Sequence, residues 1–224
     1  MTLPRFRART HRAAPGFSDP LGRRPAVGAG SNPRRRLLAG AVGALVVFGS
    51  LGAVARADAP AQRVELQTSM GVIEVQLDPQ RAPKTVANFV QYVNDGFYAG
   101  TVFHRVIPGF MILGGGFTPE MQQKATRAPI PLESRNGLKN LRGTIAMART
   151  GDPNSATSQF FINLVDNAAL DYPQPDGNGY AVFGHVIKGM DVVDRIAAAK
   201  THTVGPFENV PVQSIVIKQA VLLK

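Results

Sequence analysis

Cysteine is absent from the 224 residues, which excludes disulfides, thiolate metal sites and a lipidated cysteine anchor. Histidine is scarce: His11, His104, His185 and His202 are scattered without metal-ligand spacing, so a metalloenzyme has no sequence support. No Gly-x-Ser-x-Gly elbow occurs, which argues against a serine hydrolase of that kind. Acids are nearly missing from the first 57 residues. Ten arginines there face one acid, Asp19, so this stretch carries +9 of the formal +10 and the remainder only +1. The high pI therefore belongs to a tail. The rest of the chain offers no charge-based case for binding DNA or RNA.

Residues 1–33 are rich in Arg, Pro, Gly and Ala without a sustained apolar period, and read as disordered. Arg34, Arg35 and Arg36 then precede a charge-free run over residues 37–55, and Ala55-Arg56-Ala57 supplies a small-x-small site. Basic segment, apolar core and such a site predict a secretory signal peptide cut between Ala57 and Asp58. The competing reading is an uncleaved anchor. The run is near the lower length limit for a span and is interrupted by Gly40, Gly43, Gly49 and Gly52. Arg34-Arg35 also fits a twin-arginine signal, although Pro33 stands where Ser or Thr is usual; both export routes stay open. The expected division is a tail and signal at 1–57 and one folded domain at 58–224, large enough for a single core.

Within the domain, Arg63 to Thr68 and Val72 to Leu77 alternate around Met70-Gly71, predicting a hairpin with Val64 and Leu66 on one face. Pro83 suits a helix N-terminus, and Val86, Phe89, Val90 and Val93 predict an amphipathic helix ending before Gly96. Residues 118–140 read as a long surface loop around a short strand. Strands are expected over 143–149, 159–164, 180–187 and 212–222, the last pairing near the first. A turn is expected at 151–155, an exposed Pro- and Gly-rich loop at 171–179, and a second helix at 190–199 with Val192, Val193 and Ile196 inward. Many short strands with two isolated helices suggest a closed antiparallel barrel capped at its ends.

The organising stretch is Phe97 to Gly116, read as strand, Pro108-Gly109 turn, strand. One cation, Arg105, stands inside it. Strict alternation puts Phe103, Arg105 and Ile107 on one face and His104 and Val106 on the other. An arginine between two large apolar residues needs a partner or a task.

Phe103-His-Arg-Val-Ile-Pro-Gly-Phe-Met-Ile112, then Gly114-Gly-Gly116, resembles the signature of cyclophilins, the peptidyl-prolyl cis-trans isomerases. Gly143-Thr-Ile-Ala-Met-Ala-Arg149 agrees, as do Ser158-Gln-Phe-Phe-Ile-Asn163, Leu170-Asp171 and Tyr180-Ala-Val-Phe-Gly184. The resemblance covers about residues 63–224 and is greatest to the short periplasmic proteins of Gram-negative bacteria. It implies a mainly β fold, a closed eight-stranded antiparallel β-barrel capped by two α-helices. It implies isomerisation of X–Pro bonds in exported proteins, no cofactor, proline-containing polypeptides as partners and a monomer in the periplasm. It assigns Arg105 as the catalytic arginine and Phe110, Met111, Phe161 and Leu170 as the proline pocket. Ala148, Arg149 and Gln159 match the peptide groove, with the backbone of Arg149 rather than its side chain holding an extended substrate.

Three positions depart from the family. Leu113 stands where most active members carry glutamine, Ala169 where drug-sensitive members carry tryptophan, and Tyr180 where many eukaryotic members carry histidine. Leu113 opens an alternative: a cyclophilin-like peptide-binding chaperone with little turnover.

Overall fold

The computed structural model describes residues 62–223; the tail, the signal peptide and the cleavage after Ala57 expected from the sequence lie outside the described residues. β1 (Arg63–Thr68) and β2 (Gly71–Leu77) form the expected hairpin. Val64 and Leu66 are fully buried and pair with Val75 and Ile73. Thr68 closes the turn: its Oγ1 donates to Gly71 O at 2.6 Å and accepts from Met70 N at 3.1 Å.

α1 (Pro83–Asn94) begins at Pro83 and buries Val86, Phe89 and Val93. Its N-cap, Ala82, has no side-chain acceptor to offer. The missing cap comes from far along the chain. Glu133 accepts from Lys84 N at 3.1 Å, Thr85 N at 2.8 Å and Thr85 Oγ1 at 2.7 Å. A carboxylate there satisfies orphan N–H groups and suits the positive end of the helix.

The remaining elements are β3 (Thr101–Ile107), β4 (Met111–Gly114), β5 (Thr144–Met147), β6 (Phe160–Asn163), β7 (Val182–Lys188), α2 (Met190–Ala197), β8 (Thr201–Val204), β9 (Phe207–Pro211) and β10 (Val216–Leu223). Eight strands close in the order β1-β10-β3-β4-β6-β5-β7-β2, every pair antiparallel. β10 pairs with β1, as the sequence suggests. The interior is filled by Ile73, Val75, Ile112, Ile145, Phe160, Ile162 and Phe183, and both helices bury their apolar faces in the same core. Phe160 is its centre, with the rings of Phe89, Tyr98 and Phe103 at 5.5, 5.5 and 6.1 Å. Burial pushes the Tyr98 hydroxyl well above its ordinary pKa, and that hydroxyl donates to Ser158 O at 2.9 Å.

Three expectations change. The loop over 118–140 holds no strand of its own, only the bridges Phe117↔Gln123 and Ile130↔Ala156. The β8–β9 hairpin was not legible, because its strands are short and mostly polar. Most consequentially, the alternation of β3 breaks. Phe103 opposes Gly114 but Arg105 opposes Leu113, so His104 is an extra, bulged residue. Phe103 and Val106 both enter the core, while Arg105 is exposed on the outer face. The expected placing of Phe103 beside Arg105 is therefore wrong. Gly114 permits the close pairing here, since a Cβ would lie 2.9 Å from Phe103 Cδ1 and 3.0 Å from Val102 O.

Candidate active site on the outer barrel wall

β4, β5, β6 and β7 are apolar on both faces. Their inward residues fill the barrel; their outward residues Met111, Ala146, Phe161 and Val182 form a second buried cluster. Ile107, Phe110, Leu113, Leu138, Ala148, Leu170 and Tyr180 pack around it. An apolar patch outside a barrel needs a cover or a ligand.

The patch is dished into a cavity of about 130 Å³ lined by Arg105, Phe110, Met111, Leu113, Ala148, Arg149, Phe161, Leu170 and Tyr180. That is far below the ~300–1,000 Å³ of small-molecule pockets and suits one ring-sized side chain. The cavity unites every residue assigned to the site from the sequence except Gln159. Gln159 lies alongside, packed over Gly116, where a Cβ would lie 2.8 Å from its Cδ.

Arg105 stands at the lip. Among the described residues its guanidinium enters no hydrogen bond, ion pair or aromatic contact, so five N–H donors remain for a ligand. Leu113 lies directly across the strand pair from it and offers no polar atom.

Arg149 is the opposite case. Its side chain is 2% exposed and fully engaged. Nε donates to Gly179 O at 3.0 Å, Nη1 to Thr150 O at 3.0 Å and Nη2 to Asp176 Oδ1 at 2.8 Å. The guanidinium lies 4.6 Å from the Tyr180 ring centroid, and Tyr180 meets Phe161 edge-on at 5.6 Å. The hydrogen bond from Arg149 holds the Asp176 carboxyl below its ordinary pKa. Arg149 thus pins the loop over 171–179 and the rim residue Tyr180. The neighbouring Ala148 N donates to Gln159 O at 3.0 Å, whereas the Arg149 backbone itself enters no hydrogen bond among the described residues. That edge therefore has backbone groups without an internal partner.

The other rim rests on buried amides. Leu164 N and Asn167 Nδ2 both donate to Phe110 O, at 3.0 and 2.9 Å. Asp171 Oδ1 accepts from Asn140 N at 2.8 Å and Nδ2 at 3.1 Å, tying down the turn that presents Leu170. These supports escape a sequence reading, because each joins residues remote in the chain.

The family model for cyclophilin type peptidyl-prolyl cis-trans isomerase/CLD matches residues 63–221. The chain belongs to the cyclophilin family. It is 61% identical over 161 residues to the peptidyl-prolyl cis-trans isomerase A of Dickeya dadantii, covering 72% of this chain and 84% of that protein. It is 52% identical over 157 residues to the Escherichia coli isomerase B, covering 69% and 96% respectively. A solved cyclophilin type isomerase of Cryptosporidium parvum, in the presence of the dipeptide Ala-Pro, matches with a TM-score of 0.63 at 28% identity, over 73% of this chain and 99% of that one. As a cyclophilin, the protein sets Arg105 on the outside of the barrel, beside the apolar dish rather than in the core.

Proposed function

We propose that this cyclophilin catalyses cis-trans isomerisation of X–Pro bonds in extended polypeptides bound across its outer wall. One observation carries this: a guanidinium without an internal partner stands at the lip of an apolar cavity of proline-ring size. The names of the bacterial relatives and the Ala-Pro dipeptide of the Cryptosporidium parvum structure support it. The test is exchange-detected NMR of an Ala-Pro peptide. Accelerated exchange is expected; an unchanged rate with saturating protein overturns the reading.

The chemistry needs few parts. Rotation breaks amide resonance against a barrier of about 18–20 kcal/mol. Phe110, Met111, Phe161 and Leu170 hold the pyrrolidine ring while the Arg149 backbone fixes the preceding chain. The carbonyl of the residue before the proline can then turn about its bond to the prolyl nitrogen while the ring stays in the cavity. As resonance is lost, the prolyl nitrogen regains a lone pair, and the Arg105 N–H groups are placed to donate to it. A preorganised charge beside a dry cavity favours that state over the planar ground state.

Leu113 gives the peptide-binding chaperone reading its footing. The free donors of Arg105 favour turnover, with Leu113 setting its strength. A hydrogen bond to a charged group is worth about 1.5–3 kcal/mol. Arg105 is exposed, so water replaces part of it. Leu113→Gln should therefore raise kcat/KM about tenfold. Unaltered kinetics in a folded variant would show that Arg105 needs no side-chain acceptor.

Export is part of the proposal. Arg34 to Arg36, the charge-free run and Ala55-Arg56-Ala57 support a periplasmic protein cut after Ala57, acting on exported clients. The domain's +1 balance gives it no attraction to nucleic acid. N-terminal sequencing of protein from the cell envelope should read from Asp58. Retention of residues 1–57 would favour the anchor instead.

A further inference from the structure

Arg105 also borders a second cavity. This one, about 250 Å³, is walled by His104, Arg105, Pro206, Phe207 and Glu208. The prolyl cavity lies on the β4 side of β3. The second lies toward the β8–β9 hairpin, whose chain runs on into β10, the other neighbour of β3.

Its floor is firm. His104 packs on Phe117 at 4.6 Å between ring centroids, and Phe117 on Phe207 at 5.2 Å. Burial lowers the His104 pKa to about 4, so the ring is uncharged at neutral pH. Two charges face the space. Arg105 is directed to the prolyl amide in the mechanism above. Glu208 is exposed and enters no hydrogen bond or ion pair among the described residues.

With the chain direction taken from the isomerase reading, the strand order says how a substrate meets this cavity. β5, β6, β4 and β3 lie side by side. A peptide whose residues before the proline follow the Ala148–Arg149 edge crosses Phe161 and Met111 to reach Arg105. The residues after the proline then leave past Arg105, toward the hairpin.

We propose that this second cavity is a substrate subsite for the one or two residues that follow the proline, and that Glu208 makes it select lysine or arginine. The proposal rests on the isomerase reading for the direction of the chain. A long basic side chain lays its aliphatic stem on Phe207 and Pro206 and brings its cationic head to Glu208. An acidic one meets the same carboxylate as a repulsion. Exposed charge pairs have modest effects, so lysine should be preferred over glutamate by about threefold to tenfold at low salt, less as salt screens the pair.

The experiment uses the full chain and the peptides Ala-Ala-Pro-Lys-Lys and Ala-Ala-Pro-Glu-Glu, with Lys-Lys-Ala-Pro-Ala as control. NMR exchange gives kcat/KM without a coupling protease, and calorimetry gives Kd. The lysine preference should appear in Kd, disappear in Glu208→Gln and invert in Glu208→Lys. The control peptide, basic only before the proline, should not respond to Glu208→Gln. Equal Kd for the two test peptides overturns the subsite, as does a preference that survives Glu208→Gln or an equal response of the control. If Kd shows the Glu208-dependent preference but no peptide is isomerised, the subsite stands and the isomerase reading alone fails.

Discussion

Arg105→Ala should lower kcat/KM by about two to three orders of magnitude, the usual loss when a transition-state donor is removed. The fall should lie mainly in kcat. The guanidinium acts on a lone pair that appears only as resonance is lost, whereas the apolar cavity binds the ring in both states. Stability should change by no more than about 0.5 kcal/mol, because Arg105 is exposed and bonded to nothing among the described residues. Arg105→Lys keeps a charge but loses the planar fork, and should recover only part of the rate. Peptide titration and NMR exchange on the same samples decide the matter. If Arg105→Ala isomerises at the parent rate while peptide still binds, the catalytic assignment of this residue is wrong and the peptide-binding reading replaces it.

Phe160→Ala and Phe161→Ala should fail in different ways, although the residues are adjacent. Phe160 is fully buried among the rings of Phe89, Tyr98 and Phe103. Its truncation leaves a cavity costing about 3–5 kcal/mol. That is a large share of the ~5–15 kcal/mol available to a typical domain. Phe161 points the other way, into the outer cluster and the prolyl cavity. Its loss removes the surface on which a proline ring is held, worth about 1.5–3 kcal/mol if fully lost. kcat/KM should then fall by about tenfold to a hundredfold. Urea unfolding and kinetics on both variants test this. A Phe161→Ala protein as unstable as Phe160→Ala but fully active per folded molecule would contradict the two-faced reading of β6.

Much of this was legible along the chain. The apolar spacing of α1 and the first hairpin follow from local pattern, and the ten-residue segment around Arg105 and the apolar residues of the outer cavity from the family resemblance. Local pattern encodes faces only while the register is unbroken. The bulge at His104 inverts the parity of β3, and it depends on the opposed Gly114, which an alternation rule within one strand does not see. Partners remote in the chain were hidden for a related reason. Glu133 caps α1 from 48 residues away, and Asp176 holds Arg149 from 27. Composition says that an arginine and an acid are present; only the folded chain decides that they meet.

The sequence by itself determined the residue types the chemistry needs: one arginine in an apolar frame, aromatic and aliphatic residues for a ring, and glycines that end the second strand of the central hairpin. Tertiary structure decided how the two arginines differ. Arg149 is walled in by Gly179, Asp176 and Tyr180, so its donors are spent on architecture. Arg105 sits past a bulge on the outer wall, where no carboxylate or carbonyl among the described residues reaches it. A guanidinium is available to a substrate only where the fold leaves its N–H groups unpaired, and that depends on contacts between segments far apart in sequence.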